Sequence, residues 1–149
     1  MGKTIGEIIE RRSDYYFVQA SDSVGKVCEY MTDHKVGAVA VQEDDRSCCG
    51  VFSERDLLNR VVAKGVNPKS TSVREVMSPD LVTARPEESC LVAAERMKDH
   101  ETRHLLVLDG KDYLGMVTQS DLTRAFFDEV KEERDLLKHY AFPELPSQP

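Results

Sequence analysis

Two seven-residue segments of the sequence each place a hydroxyl side chain three residues before a carboxylate, directly after a glycine and two apolar residues. They are residues 50–56 (GVFSERD) and 115–121 (GMVTQSD). A serine or threonine where a strand turns into a helix offers a phosphate its hydroxyl and the unpaired amides of the first helical turn. An aspartate three residues later can accept hydrogen bonds from ribose hydroxyls. The candidate contacts to a sugar phosphate are Ser53, Asp56, Thr118 and Asp121.

The same spacing has a second interpretation that needs no ligand. A serine or threonine followed three residues later by an acid is close to a capping box, which satisfies the amides of the helix itself.

The other residues of the two segments suit a ligand. The preceding glycine would let the backbone approach a flat ligand. The apolar residue after it, Met116 in the second segment, offers a wall for an adenine ring. Either interpretation fits one segment, and the occurrence of two segments favours ligand contact.

Both segments lie within an internal repeat. A shift of 66 residues aligns residues 23–41 with 89–107, and a shift of 65 aligns 50–57 with 115–122. The change of register is a single deletion in a predicted hairpin turn, which a duplicated unit tolerates. The periodicity of apolar residues predicts the order strand, helix, strand, strand, helix in each copy.

A short helix is predicted before each copy, because residues 4–9 and 72–77 both begin with a hydroxyl residue and carry glutamate three positions later. One copy alone cannot cover both faces of its sheet, so we expect an α/β fold in which two copies pack around a pseudo-two-fold axis. The predicted division is repeat 1 with its leading helix at residues 1–65, a linker at 66–71, repeat 2 with its leading helix at 72–128, and a charged helical, proline-containing tail at 129–149.

Residues 50–56 and 115–121 resemble the G-h-h-[ST]-x-x-D signature of CBS domains, where h is an apolar residue. Residues 101–107 (ETRHLLV) are similar to the strand that this family places before the signature. The resemblance covers about residues 1–128. It implies a tandem pair of CBS repeats, a Bateman module, with one cleft per repeat and the phosphates near the pseudo-two-fold axis. It also implies that Arg103 and His104 bind phosphate.

The first copy departs from this pattern, because Gly37 and Ala38 stand where the second copy has Arg103 and His104. Three explanations stay open at this point. The two basic residues serve a shared cleft, Arg55 supplies the missing charge, or the first site is weak.

The composition excludes several classes of function. The 149 residues are 40% hydrophobic and 32% charged, which is typical of a soluble globular domain. No apolar run approaches the roughly 18 residues of a membrane span, and the first residues lack the apolar core of a signal peptide. A net charge of −7 argues against nucleic acid as a partner. We therefore expect a cytoplasmic protein that binds neither membrane nor nucleic acid.

Catalysis and metal binding are not indicated by any motif. There is no Ser-His-Asp signature, P-loop or C-x-x-C pair, so we expect neither an enzyme nor a cofactor or metal. Cys28 and Cys90 lie on apolar stripes and are interpreted as small core residues. Cys48 and Cys49 fall in a predicted turn and have no assigned role.

These observations favour a regulatory module that senses an adenosine-containing nucleotide and transmits its presence to an unidentified partner protein. AMP, ADP, ATP, NAD(H) and S-adenosylmethionine all contain the adenosine that the segments would bind, and the sequence does not choose among them. The alternative is a ligand-free module for dimerisation and protein interaction, docking through a charged helix at residues 129–139. We expect a homodimer. Its candidate contacts, which could equally be intramolecular core, are Leu57, Leu58, Val61, Leu122, Ala125 and Phe126.

Overall fold

The computed structural model describes residues 2–10, 12 and 15–142. Residues 143–149, which contain the three prolines of the predicted tail, lie outside the described residues. The chain forms two three-stranded sheets with the same topology. In each, the first strand is parallel to the second, which is antiparallel to the third.

The first repeat follows the predicted order. Strand β1 (Phe17–Gln19) leads to helix α2 (Val24–His34), and strands β2 (Ala38–Gln42) and β3 (Cys48–Ser53) form the antiparallel pair. Helix α3 (Glu54–Asp56) continues as a π-helical segment over Leu57–Val62. The prediction of a turn at Cys48 and Cys49 was wrong, because both cysteines open strand β3.

The second repeat has the same elements. They are strand β4 (Thr83–Ala84), helix α4 (Cys90–Asp99), strands β5 (His104–Asp109) and β6 (Asp112–Thr118), and helix α5 (Gln119–Ala141). The expected order β-α-β-β-α, in two copies with an α/β architecture, is confirmed. Helix α5 is one continuous helix of 23 residues. It joins the last helix of the repeat to the helix that the sequence predicted separately for the tail.

The two short leading segments are exchanged between the repeats. Helix α1 (Ile5–Ile9) precedes the first repeat, yet Ile5 and Ile9 are buried in the core of the second. The 3₁₀ turn Val73–Glu75 precedes the second repeat, yet Val73 is fully buried in the core of the first. Each repeat therefore needs apolar side chains from the segment before the other, and the two cores stabilise one another.

Backbone hydrogen bonds fix this exchange. Ile5 N–H donates to Glu88 O over 2.9 Å, and Val73 N–H donates to Asp22 O over 2.8 Å. Both leading segments carry the predicted capping box, in which Thr4 and Ser72 are the caps. After the second leading segment, Ser78 pairs with Val51 of strand β3, and helix α1 packs against strand β6.

Candidate functional site

The first strand-to-helix corner is where strand β3 ends at Ser53. Ser53 has an extended backbone, and Asp56 N–H donates to its Oγ over 3.4 Å. In return Asp56 Oδ2 accepts the Ser53 N–H over 3.0 Å. This is the capping box that the second interpretation of the sequence anticipated. It uses one oxygen of the carboxylate and leaves the role of Oδ1 to be set by other neighbours.

The second corner, where strand β6 ends at Thr118, has the same local geometry. Asp121 Oδ2 accepts the Thr118 N–H over 2.8 Å, and Asp121 N–H donates to Thr118 Oγ1 over 3.2 Å. The amide of the next residue is also occupied at both corners, since Glu54 N–H donates to Gly37 O and Gln119 N–H donates to Arg103 O. The two corners are therefore equivalent in their backbone and capping contacts.

The corners differ in the arginine that contacts the second carboxylate oxygen. At the first corner Arg60 Nε lies 3.5 Å from Asp56 Oδ1, while its Nη1 donates to Met77 O over 2.7 Å. At the second corner Arg12 Nη2 forms a close ion pair with Asp121 Oδ1. Arg12 also donates through Nη1 to Met116 O over 2.6 Å. The second carboxylate is thus held by a side chain from the leading segment of the chain.

A cleft of about 680 Å³ opens beside the first corner and runs between the two repeats. Its walls come from the end of strand β3 and the start of helix α3, from the chain before strand β4, and from the chain before strand β5. The described residues that line it are Gly37, Val51, Ser53, Glu54, Arg55, Asp56, Ser78, Pro79, Asp80, Leu81, Val82, His100, Glu101, Thr102, Arg103 and His104.

The cleft brings together five of the eight residues that the sequence singled out. Arg103 and His104 belong to the second repeat, yet they face the corner of the first. The first of the three explanations for the uncharged first copy therefore matches the structure. Arg55 lines the same cleft, so the second explanation stays open beside the first. The five residues are Ser53, Arg55, Asp56, Arg103 and His104.

The other three residues, Met116, Thr118 and Asp121, are not among the described residues that line this cleft. They form the second corner. The Asp121 side chain is 10% exposed. Burial alone would raise the pKa of its carboxyl, but the hydrogen bonds from Arg12 and Thr118 outweigh that effect and lower the pKa below its ordinary value.

His104 is close to both corners, because it lines the cleft beside the first and lies next to the second. It begins strand β5 and pairs with Thr118 across the sheet. Burial lowers the pKa of its imidazole below 6.5, against the opposing influence of the carboxylate of Glu54, while Arg103 lowers it further. The surroundings of His104 therefore favour its neutral form, and an approaching anion would favour the protonated form.

The two signature glycines serve the protein backbone. A Cβ built at Gly50 would lie 2.8 Å from Ser78 O, and Gly115 has φ of +140°, which side chains rarely adopt. Gly50 is not among the described residues that line the cleft. The two glycines are therefore explained by chain packing at Gly50 and by backbone geometry at Gly115, and not by the approach of a flat ligand.

Sequence reasoning missed two residues that distinguish the corners. Arg12 and Asp80 each stand eight residues after a capping residue, Thr4 or Ser72, so they are equivalent in the repeat. Arg12 binds the second corner, and Asp80 lines the cleft beside the first. The alignment of the two leading segments contained this signal. If that alignment is extended beyond the helices, Arg12 aligns with Asp80.

No metal centre or membrane span is found in the part of the chain that the structure describes. Its histidines, cysteines and acids form no group of three or more that could hold a metal ion. None of the helices within that part is long and apolar enough to cross a membrane.

The fold and the cleft define a tandem-repeat module built around a pseudo-two-fold axis, with an open cleft beside the first corner. The sequence model of the CBS domain matches this chain twice, at residues 5–63 and 73–128. The chain belongs to the CBS domain family and is a CBS-pair regulatory module.

Relatives and solved structures agree with this assignment. The chain is 31% identical over 146 residues to "CBS domain-containing protein CBSX3, mitochondrial" of Arabidopsis thaliana, covering 92% of this chain and 71% of that protein. The structure of a protein with CBS domains from Burkholderia ambifaria MC40-6 superposes with a TM-score of 0.79 at 25% identity, over 98% of this chain and 100% of that one.

A third comparison concerns a protein solved with a nucleotide. The CBS domain protein PAE2072 from Pyrobaculum aerophilum, complexed with AMP, has a TM-score of 0.71 at 22% identity, over 79% of this chain and 88% of that one. It shares the fold. Some curated relatives are longer, and the chain spans 60% of the Methanopyrus kandleri protein MK0525 and 24% of CBSCBSPB1 of Arabidopsis thaliana.

Proposed function

We propose that the protein senses an adenosine-containing nucleotide in the cleft beside Ser53 and Asp56 and transmits its presence to a partner protein. The observation that carries this proposal is that one cleft unites the Ser53–Asp56 corner with Arg103 and His104 of the other repeat. Its volume of about 680 Å³ suits a small-molecule ligand. AMP, ADP, ATP, NAD(H) and S-adenosylmethionine are the candidate ligands.

Each part of a nucleotide has a chemically suitable partner in the cleft. Asp56 Oδ1, which Arg60 Nε approaches only to 3.5 Å, can accept hydrogen bonds from ribose hydroxyls. Val51 offers an apolar surface to the adenine ring. Arg55, Arg103 and His104 can donate charge-assisted hydrogen bonds to phosphate. The AMP complex of PAE2072, which has the same fold, supports this choice of ligand class.

A ligand in this cleft would touch both repeats, and this gives it a means of signalling. Binding energy that favours one arrangement of the repeats shifts the population toward that arrangement and changes the outer surface. The proposal assigns the protein no catalytic step and no cofactor. The regulated partner is a second protein of unassigned identity, and a cytoplasmic location stays a prediction.

We also propose that the module forms a homodimer through the helices that end each repeat. Val61, Leu122 and Ala125, which the sequence offered as contacts, are buried within the chain and belong to its core. Leu57 and Phe126 pack against the two cores. Leu58 and Val62 after the first corner, and Phe127 and Val130 in the first half of helix α5, are exposed apolar side chains available for this contact.

The dimer can be tested with a pair of matched substitutions. Leu58 and Leu91 are both 61% exposed, but Leu91 lies on helix α4, which is not one of the helices proposed to form the contact. Leu58→Glu should convert the dimer to a monomer in analytical ultracentrifugation, whereas Leu91→Glu should leave it intact. A wild-type protein that sediments as a monomer at all concentrations would contradict the proposal.

The second candidate function, a ligand-free interaction module, is favoured by helix α5. Its last residues, from Lys131 to Ala141, are all exposed. Leu136, Leu137 and Tyr140 are among them and are 56%, 69% and 76% exposed. Such a helix face can dock a partner without any nucleotide.

A thermal shift assay separates the two functions. A nucleotide at 100 times its dissociation constant stabilises the folded protein by about 2.7 kcal/mol, which raises the melting temperature by several degrees. We expect a shift with at least one of the five adenosine compounds at millimolar concentration. Asp56→Asn, which keeps an acceptor for the Ser53 amide, should lose most of the shift. Asp128→Asn, on helix α5, should keep it. No shift with any compound would reject nucleotide sensing.

A further inference from the structure

We infer that Arg12 occupies the position of a nucleotide at the second corner, so that each chain binds a single nucleotide, at the first. This inference rests on the proposed function and assigns Arg12 as the residue that closes one of two duplicated sites. Two observations support the inference. Arg12 contacts residues of the second corner, and those residues correspond by the repeat to residues that line the open cleft at the first.

The residues that Arg12 contacts are the counterparts of residues that line the open cleft. Val51 and Asp56 line the cleft at the first corner. Their equivalents in the repeat are Met116 and Asp121, and the guanidinium of Arg12 binds the carbonyl of the former and the carboxylate of the latter. The Asp121 oxygen beyond the one used for capping is therefore already satisfied, and a ribose hydroxyl would have to compete for it.

Competition at the second corner is costly because the ion pair is sheltered. The Asp121 side chain is 10% exposed and that of Arg12 is 34% exposed. Asp56 and Arg60 are 13% and 46% exposed, but their closest charged atoms lie 3.5 Å apart, whereas Arg12 contacts Asp121 directly. A nucleotide at the second corner would have to displace this guanidinium and leave a nearly buried carboxylate without the charge that pairs with it. We expect this to weaken affinity at the second corner by about a hundredfold or more relative to the first.

The first corner stays open because its equivalent residue has the opposite charge. Asp80 stands at the position of Arg12 and lines the cleft. A carboxylate cannot bridge to Asp56, since like charges repel. The arginine that does approach Asp56, Arg60, comes from the π-helical segment and is not among the described residues that line the cleft. One position in the repeat therefore decides which corner is available.

Isothermal titration calorimetry with AMP measures the number of sites per chain. The wild-type protein should bind one AMP per chain, and Arg12→Ala should bind two. Arg12→Gln keeps a donor for the Met116 carbonyl and removes the charge. It takes the place of Arg12→Ala in this experiment if the alanine variant does not fold. The matched control is Arg124→Ala. Arg124 also lies near Asp121 Oδ1, at 3.9 Å, but its side chain is 74% exposed, so the control should bind one AMP.

A double variant assigns the additional site. Asp56→Ala alone should retain no site of wild-type affinity for AMP, whereas Asp56→Ala combined with Arg12→Ala should regain one such site, at the second corner. Two AMP molecules per wild-type chain, or one in every folded Arg12 variant, would overturn the inference while leaving nucleotide sensing intact. No AMP bound by any of these proteins would overturn the inference, and nucleotide sensing itself would be overturned only if the other four compounds also give no thermal shift.

Discussion

The two strand-to-helix corners share a motif and a backbone but differ in what surrounds them. Ser53 and Asp56 form the same capping contacts as Thr118 and Asp121. The first pair lines the open cleft, while Asp121 of the second pair is held by Arg12. The comparison teaches that the motif builds the corner, and that side chains from elsewhere in the chain decide whether a ligand can reach it.

The largest expected effect is a difference between the two aspartates. Asp56→Ala should weaken AMP binding by roughly ten- to a hundredfold, the range expected for losing hydrogen bonds to a charged group. Asp121→Ala should change affinity less than threefold, because that carboxylate serves Arg12. Titration calorimetry gives both values. Equal losses in the two variants would show that the corners are functionally equivalent.

Reversing the charge at Asp80 should close the open corner. Asp80→Arg places a guanidinium at the position equivalent to Arg12, where it can pair with Asp56, and we expect about a tenfold loss of AMP affinity. Asp80→Asn is the control and should bind AMP at least as tightly as the wild type. Tighter binding by Asp80→Arg would mean that the arginine contacts phosphate and that the equivalence with Arg12 fails.

The ion pair at the second corner should contribute to stability in a pH-dependent way. The pKa of Asp121 is lowered in the folded protein, so its contribution is present above its unfolded value of 3.8 and is lost as pH falls through the folded value. Because the Arg12 side chain is 34% exposed and solvent screens part of the pair, Arg12→Ala should destabilise the protein by about 1 kcal/mol near neutral pH, and less as the solution becomes acidic. Urea unfolding at a series of pH values measures this. If the difference in unfolding free energy between the wild type and Arg12→Ala does not change with pH, the loss is due to packing and not to the ion pair.

The smallest expected effect concerns His104. Its pKa is lowered mainly by burial, and a bound phosphate would raise it, so binding should take up a proton. AMP affinity should increase about threefold as pH falls from about 8 to about 6.5. His104→Gln should remove this increase, apart from the titration of the phosphate itself. An identical pH profile in the variant would exclude His104 from the phosphate contact.

The fold could be predicted well from the sequence because each predicted element could be checked against its counterpart in the second repeat. The order of strands and helices, the capping boxes and the two corners follow from local patterns that need no tertiary information. The exchange of the leading segments could not be predicted, because Ile5 and Val73 have the same apolar character whichever sheet they cover. The continuity of helix α5 was missed since the charged tail offers no burial signal.

The site was predicted in part for the same reason. Ser53 and Asp56 came from a local motif, and Arg103 and His104 from the family resemblance. The sequence could not decide between the corners, because Arg12 acts across more than a hundred residues of chain. Its ion pair with Asp121 depends on the path of the leading segment after helix α1, and that path is set by packing on the other repeat.

A crystal structure of the protein grown with AMP tests the central claim most directly. The account predicts AMP beside Ser53 and Asp56, with its phosphate near Arg103 and the ion pair of Arg12 and Asp121 unbroken. AMP beside Thr118 and Asp121, with Arg12 displaced, would contradict it.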